Sequence, residues 1–258
     1  MSDTYLYSSS MQIDPKDLAL LVRDKYEGKH SKELVQDVLR LEAGEPLAYV
    51  IGWMPFLGLK LRLDSHPLIP RPETEWWTEV LIAHLLTKEP PLTVLDLCAG
   101  SGAIGLAILP TCKHAHVSFA ELSPLHSALI ALNADENHID KTRMTIRSGD
   151  LFTPYEGERF SVIASNPPYI PSSRSLDESV LLYEPTDALY SGEDGLDIIR
   201  RIIAEAPEHL LPNGELWMEC DIENIDAASA LMKERGFTAV EIRTDLYGRP
   251  RVCVGYFS

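Results

Sequence analysis

The chain has 258 residues, 45% of them hydrophobic and 24% charged, with a formal net charge of −16. This is the composition of a globular protein of one or two domains, and its acidity opposes unassisted binding to a phosphate backbone, so no direct nucleic-acid contact is expected. No apolar run is long enough to span a membrane, and residues 1–17 have neither the apolar core of a secretory signal nor the arginines of a transit peptide, with Met11 an alternative start.

Elements follow in chain order. Asp14 is placed to cap a helix with Pro15 in its first position, Leu18, Leu21 and Val22 forming its apolar face and Gly28 its end. Ser31 opens a second helix whose stripe is Leu34, Val35, Val38, Leu39 and Leu41, before Gly44. Residues 1–44 therefore form a short helical cap. The stretch 47–63 has β-like composition broken by Gly52, Pro55 and Gly58, which makes 45–70 a β-hairpin linker. A proline-rich segment from Ile69 then enters a helix reaching Leu86, with Glu73 and Glu75 in its first turn.

From Leu92 strand and helix patterns alternate, so 71–258 is an α/β domain with a parallel sheet covered on both faces. Strands are predicted over 93–97, 117–121, 144–147, 160–164, 215–220, 237–243 and 251–256, and helices from Ala103 and over 124–137, 196–210 and 225–235. The last two strands lack an intervening helix and should form an antiparallel hairpin. Cys98, Cys112, Cys220 and Cys253 lack metal-ligand spacing and read as reduced thiols of a cytoplasmic protein. The histidines offer no HExxH, and no metal is expected.

Two motifs carry chemistry. The strand at 93–97 runs into Cys98-Ala99-Gly100-Ser101-Gly102, a glycine turn that lets backbone approach a nucleotide-like ligand closely. Gly100, Gly102 and Gly105 also satisfy the GxGxxG dinucleotide pattern, which leaves a nicotinamide cofactor open. Glu121 ends the next strand, where its carboxylate would accept both ribose hydroxyls, and Gly149-Asp150-Leu151-Phe152 follows the third as an adenine contact with an apolar wall. The fourth ends in Ser165-Asn166-Pro167-Pro168-Tyr169. Its prolines have no N–H, so the turn offers carbonyl acceptors with few competing donors. Asn166 and the Pro167 carbonyl would accept the two hydrogens of a planar NH2 group while Tyr169 packs on its plane, which suits an amide or an amino-base nitrogen.

The chain resembles the HemK/PrmC family of class I S-adenosylmethionine-dependent N5-glutamine methyltransferases. The resemblance runs from about Gly44 to the end and rests on Glu45-Pro46-Leu47-Ala48-Tyr49, residues 69–73 and 96–102, Asn166-Pro167-Pro168-Tyr169-Ile170-Pro171, Glu184-Pro185, Gly192-Glu193-Asp194-Gly195-Leu196-Asp197 and Asp245-Leu246-Tyr247-Gly248-Arg249. It implies a Rossmann-like fold with a seven-stranded, mostly parallel sheet and a C-terminal antiparallel hairpin. It also implies methyl transfer from S-adenosylmethionine, leaving S-adenosylhomocysteine, to the glutamine of the GGQ loop in a peptide-chain release factor. By the same resemblance Asn166, Pro167 and Tyr169 are catalytic and, with Pro168, hold the substrate, while Cys98, Ala99, Gly100, Ser101, Gly102, Glu121, Leu151 and Asn166 hold the cofactor. A monomer is expected.

Two departures stand out. The family usually has glycine where Cys98 stands, so a negative φ is expected there and a turn residue rather than a nucleophile. The N-terminal helical region is short, which bears on partner recognition more than on chemistry. Rival readings are a ribosomal-protein glutamine methyltransferase, an adenine-N6 nucleic-acid methyltransferase, a nicotinamide oxidoreductase and a catalytically silent adenosine-binding module.

Overall fold

The computed structural model describes residues 13–29 and 31–258, so the alternative start at Met11 lies outside the described residues. Helix α1 (Pro15–Asp24) begins as expected: the Asp14 carboxylate accepts from the Lys16 N–H at 2.8 Å. It stops short of Gly28, and past its end Lys25 Nζ reaches the Val50 carbonyl at 2.7 Å and Asp37 at 2.6 Å. In α2 (Lys32–Glu42) the predicted stripe divides. Leu34 and Val38 join Leu21 and Val50 in a small separate core, while Val35 and Leu39 remain 45% and 51% exposed.

The linker differs from its β-like reading at the start. Leu47–Ile51 is a short helix, α3, which buries Tyr49 and Val50 and ends where Gly52 adopts φ 91°. The hairpin follows as β1 (Trp53–Phe56) and β2 (Leu59–Arg62), paired antiparallel.

Next come α4 (Pro72–Leu85), β3 (Leu92–Leu97), α5 (Ala103–Thr111), β4 (Ala115–Glu121), α6 (Pro124–Glu136), β5 (Met144–Ser148) and β6 (Phe160–Ser165). The chain continues through α7 (Glu178–Tyr183), α8 (Asp197–Glu205), β7 (Leu210–Glu219), α9 (Ile225–Glu234), β8 (Ala239–Thr244) and β9 (Pro250–Tyr256). Helix α7 adds to the elements expected from the sequence, and α8 ends before Pro207, whose missing N–H suits a break.

The sheet order is β5-β4-β3-β6-β7-β9-β8, parallel from β5 to β7 and antiparallel at both β9 pairings. The expected hairpin forms, but β9 inserts between β7 and β8. One face is covered by α4 and α5, through Trp77, Leu81, Ile104 and Ile108. The other is covered by α8 and α9, through Ile199, Ile202, Ala228 and Met232. Successive strands leave β3 toward β5 on one side and resume at β6 on the other, so the topological switch lies between β3 and β6. Ligands of open α/β sheets bind outside the carboxyl ends of the strands at that point.

The hairpin is joined to the sheet layer by two asparagines of the α6 region standing one helical turn apart. Asn133 Oδ1 accepts from the Arg62 N–H at 2.7 Å, and Asn137 Oδ1 from the Lys60 N–H at 2.8 Å. Asn137 Nδ2 returns a bond to the Lys60 carbonyl at 2.9 Å. The outer edge of β2 is thereby satisfied by side chains. Asn133 Nδ2 also donates to the Ser101 carbonyl at 2.9 Å, tying the hairpin to the glycine turn. Among the described residues no helix is long and apolar enough to cross a membrane, and no cluster of three or more His, Cys, Asp or Glu is arranged to hold a metal.

Candidate active site

A cleft opens at the carboxyl ends of β3, β4, β5 and β6. Cys98 and Gly100 line it from the first turn, Glu121 from the second, Leu151 from the third, and Asn166 and Pro168 from the fourth. The four strand ends thus converge on one space. Ala99, Ser101 and Gly102 are buried behind the wall, as is Pro167. Tyr169 is partly buried beside it. Leu68, His126, Asp187, Ala188 and Ile198, which carried no motif in the sequence, complete much of the lining.

Glu121 is 7% exposed and already employed by the backbone. Its Oε2 accepts from the Gly100 N–H at 2.7 Å and its Oε1 from the Ser123 N–H at 2.9 Å. Each carboxylate oxygen keeps lone pairs for a further donor, so the same side chain shapes the glycine turn and faces the cleft. Gly102 sits at φ 80°, and a Cβ there would meet Ile130 and Leu106 at 3.0 and 3.1 Å. Beneath the turn, Asp96 Oδ2 accepts from the Gly105 N–H at 2.8 Å, while Oδ1 is buried without a hydrogen-bond partner among the described residues. Burial pushes this carboxyl well above the ordinary range, and the Glu121 charge adds to the effect. His126 is also partly buried on the cleft wall, with Nδ1 2.8 Å from Ser65 Oγ, and desolvation holds its pKa below the usual imidazole value despite the Glu121 and Asp187 charges.

The expectation of a negative φ at Cys98 is wrong: the residue adopts φ 61°. The turn keeps the left-handed backbone that glycine would supply and accommodates a thiol in it. Burial, reinforced by Glu121, pushes that thiol up to about 12, which disfavours a thiolate at neutral pH. Left-handed backbone costs an L-residue about 1–2 kcal/mol, and glycine loses about 0.4–1 kcal/mol to unfolded-state entropy. Cys98→Gly should therefore match or slightly exceed the parent in urea unfolding, whereas the β-branched Cys98→Val should lose about 1–3 kcal/mol.

The Asn166 loop is held from below. Asn166 Nδ2 donates to Thr74 Oγ1 at 3.1 Å, and Thr74 Oγ1 donates to Glu219 Oε2 at 2.7 Å. Trp77 Nε1 donates to the same Glu219 oxygen at 2.7 Å, and the Tyr169 hydroxyl donates to Oε1 at 2.9 Å. Glu219 closes β7, is 1% exposed and is pushed by burial above the ordinary carboxylate range, although its three donors and the Arg251 charge favour the ionised form. The same surroundings raise Tyr169 well above its usual value, burial first and the Glu219 charge next. The sequence alone sets Arg71 to Thr74 over the cofactor or substrate mouth with no individual role, and it marks Glu219 with none. A carboxylate closing the apolar run Leu216-Trp217-Met218 was the one local signal.

Two further segments fix the loop. The Asn224 amide donates to the Tyr169 carbonyl at 3.0 Å, and the Ile170 N–H donates to the Leu189 carbonyl at 2.9 Å. Gly195 passes so close that a Cβ would lie 2.3 Å from the Tyr169 carbonyl oxygen, which explains glycine in that sequence motif. Across the mouth, Glu184 is 5% exposed and accepts from the Ile69 N–H at 3.1 Å and from Arg71 Nη2 at 2.6 Å. Arg71 is thus engaged in holding its own segment, which carries Leu68 into the cleft wall.

The family model described as "Methyltransferase small domain" matches residues 73–181. The chain is 37% identical over 235 residues to a release factor glutamine methyltransferase of Bordetella pertussis, the match covering 90% of this chain and 86% of that protein. A protein of the same description from Lactococcus lactis subsp. lactis is 34% identical over 236 residues, covering 90% and 85%. Among solved structures, a 16S rRNA N2 G1207 methyltransferase of T. Thermophilus, in complex with AdoMet and guanosine, shares the fold at TM-score 0.58 and 17% identity, over 80% of this chain and 50% of that one. With the class I sheet order in place and more than a third of positions identical across nearly the whole of such relatives, the chain belongs to the family of release factor glutamine methyltransferases.

Proposed function

We infer that this chain transfers a methyl group from S-adenosylmethionine to the N5 side-chain nitrogen of the glutamine in the GGQ loop of a peptide-chain release factor. The observation that carries the reading is Asn166 on the wall of the cleft that Glu121 also lines, with its NH2 already donated to Thr74. Its carbonyl oxygen has no hydrogen-bond partner among the described residues. That oxygen is the acceptor an incoming amide NH2 requires.

The residues present fit the cofactor. Glu121 keeps lone pairs for ribose hydroxyls, Leu151 and Ile198 offer apolar surface to a flat base, and the turn at Gly100 and Gly102 allows close backbone approach. When bound, S-adenosylmethionine supplies a methyl group made electrophilic by its sulfonium. An amide nitrogen is a weak nucleophile, because its lone pair is delocalised into the carbonyl. Asn166 and the Pro167 carbonyl take up the two amide hydrogens, orient the nitrogen and favour the positive charge that develops on it, while the face of Tyr169 packs on the side chain. The contribution is positioning and electrostatic stabilisation, with no general base acting before transfer.

Calorimetric titration tests the cofactor: binding of S-adenosylmethionine and its demethylated product is expected, and no binding of NAD. Tight NAD binding without a methyl-donor signal would sink the assignment. Labelled cofactor offered to a release factor, intact ribosomes and DNA should label the release factor.

Residues 1–44 serve recognition of that protein partner in this reading. Val35 and Leu39 form an exposed apolar pair one turn apart on α2, while the rest of the stripe is used internally. Val35→Asp with Leu39→Asp should raise KM for the release factor roughly five- to tenfold and leave cofactor affinity unchanged. An unaltered KM would remove this face from the interface.

A further inference from the structure

Among the described residues Glu219 has no charged hydrogen-bonding partner, although the Arg251 charge favours its ionised form: the three bonds it receives all come from neutral donors, Thr74, Trp77 and Tyr169. Burying a carboxylate in this way is costly compared with a neutral side chain of the same shape. The donors come from two places, α4 and the loop after β6, and both lead to the candidate amide site. The order of donors and acceptors along this chain of bonds is informative.

Trp77 Nε1 can only donate, and it points at Glu219 Oε2. This oxygen is therefore a bare acceptor whether or not a proton resides on Oε1. Thr74 shares the same oxygen and commits its single hydroxyl hydrogen to it at 2.7 Å. Only lone pairs of Thr74 Oγ1 are left for Asn166, 3.1 Å away. Asn166 must meet them with its NH2 group, which leaves its carbonyl oxygen to face the cleft. The opposite orientation would set two oxygens together without a hydrogen and turn a donor toward the substrate's own NH2.

We propose that Glu219 and Thr74 are positioning residues that set the polarity of Asn166, making it an acceptor toward the cleft and so selecting a substrate that presents NH2. The inference rests on the reading of the chain as a glutamine methyltransferase. Through its other oxygen, Glu219 also holds the Tyr169 hydroxyl, so both arms of the substrate site share one anchor.

The test is a double-mutant cycle in the full-length protein, read as single-turnover methyl transfer to a release factor at saturating S-adenosylmethionine. Thr74→Val, which keeps shape but loses the hydroxyl, should slow transfer about tenfold with cofactor affinity unchanged. Thr74→Ser should recover most of that loss. Thr74→Val added to Asn166→Ala should cost nothing more, because no amide is left to orient. Glu219→Gln, whose amide oxygen can still meet Thr74 and Trp77, should transfer at least tenfold faster than Glu219→Leu.

A double variant slower than Asn166→Ala by the full Thr74→Val factor overturns the proposal, since Thr74 would then act independently of Asn166. Neutron diffraction of the parent avoids any question of variant folding: deuterium on the Asn166 nitrogen facing Thr74 supports the relay, and deuterium facing the cleft overturns it. A parent protein that leaves the release factor unmethylated overturns the functional reading instead, while the neutron experiment still judges the orientation of Asn166.

Discussion

Replacing Asn166 by alanine is expected to lower turnover about 10²–10³-fold, the usual loss when one preorganised polar contact to a transition state is removed. The loss should fall on methyl transfer itself, because the glycine turn and Glu121, which line the cleft and are proposed to hold the cofactor, are untouched. Asn166→Asp should also be impaired, and the structure gives a specific reason. A carboxylate has no hydrogen to give Thr74, whose own hydrogen is committed to Glu219, so two oxygens would face each other across a 3.1 Å contact. Asparagine does not titrate, so the chemical step should show no ionisation assignable to it near neutral pH. A folded, cofactor-bound Asn166→Ala variant that transfers methyl within about twofold of the parent in single-turnover measurements would take Asn166 out of the mechanism.

Glu121→Ala is expected to weaken S-adenosylmethionine binding about ten- to a hundredfold, the range for losing a charge-assisted hydrogen bond. The structure adds a second cause. Glu121 also receives the N–H groups of Gly100 and Ser123, at 2.7 and 2.9 Å, so truncation frees two backbone donors and loosens the turn that lines the cleft. Glu121→Gln should fall between parent and alanine, because one amide oxygen replaces two acceptors while its NH2 would confront a backbone N–H. Calorimetry on both variants measures this. An unchanged affinity in a folded Glu121→Ala protein would place the ribose elsewhere.

How far the site could be read from sequence depended on how local its determinants are. The glycine turn, the acidic strand end and the Asn-Pro-Pro-Tyr loop are each contiguous, and strand and helix periodicity places them at the same end of a parallel sheet. The anchor beneath them is not local. Thr74 and Glu219 lie 145 positions apart, and Asn166 is 92 positions from Thr74, so no pattern within a window links the three. Cys98 illustrates tertiary override: its Cβ argues for negative φ, but the turn between β3 and α5 demands left-handed backbone, and the fold accepts the strain. Leu47–Ile51 failed for the converse reason. Its β-branched and aromatic residues suit a strand in isolation, yet a helical turn wins by burying Val50 against the cap while the Tyr49 ring stacks on His66 and its hydroxyl donates to the Pro67 carbonyl. The place of β9 between β7 and β8 is a matter of pairing order, which hydrophobic alternation does not encode.

The most direct measurement of the central claim is mass spectrometry of a release factor incubated with this protein and S-adenosylmethionine, with fragment ions read across the GGQ-containing peptide. The expected result is the mass of one added methyl group on that peptide, assigned to the glutamine side chain and absent when the cofactor or Asn166 is removed. An unmodified GGQ glutamine, with the methyl group found instead on a ribosomal protein or on a nucleic-acid base, would contradict it.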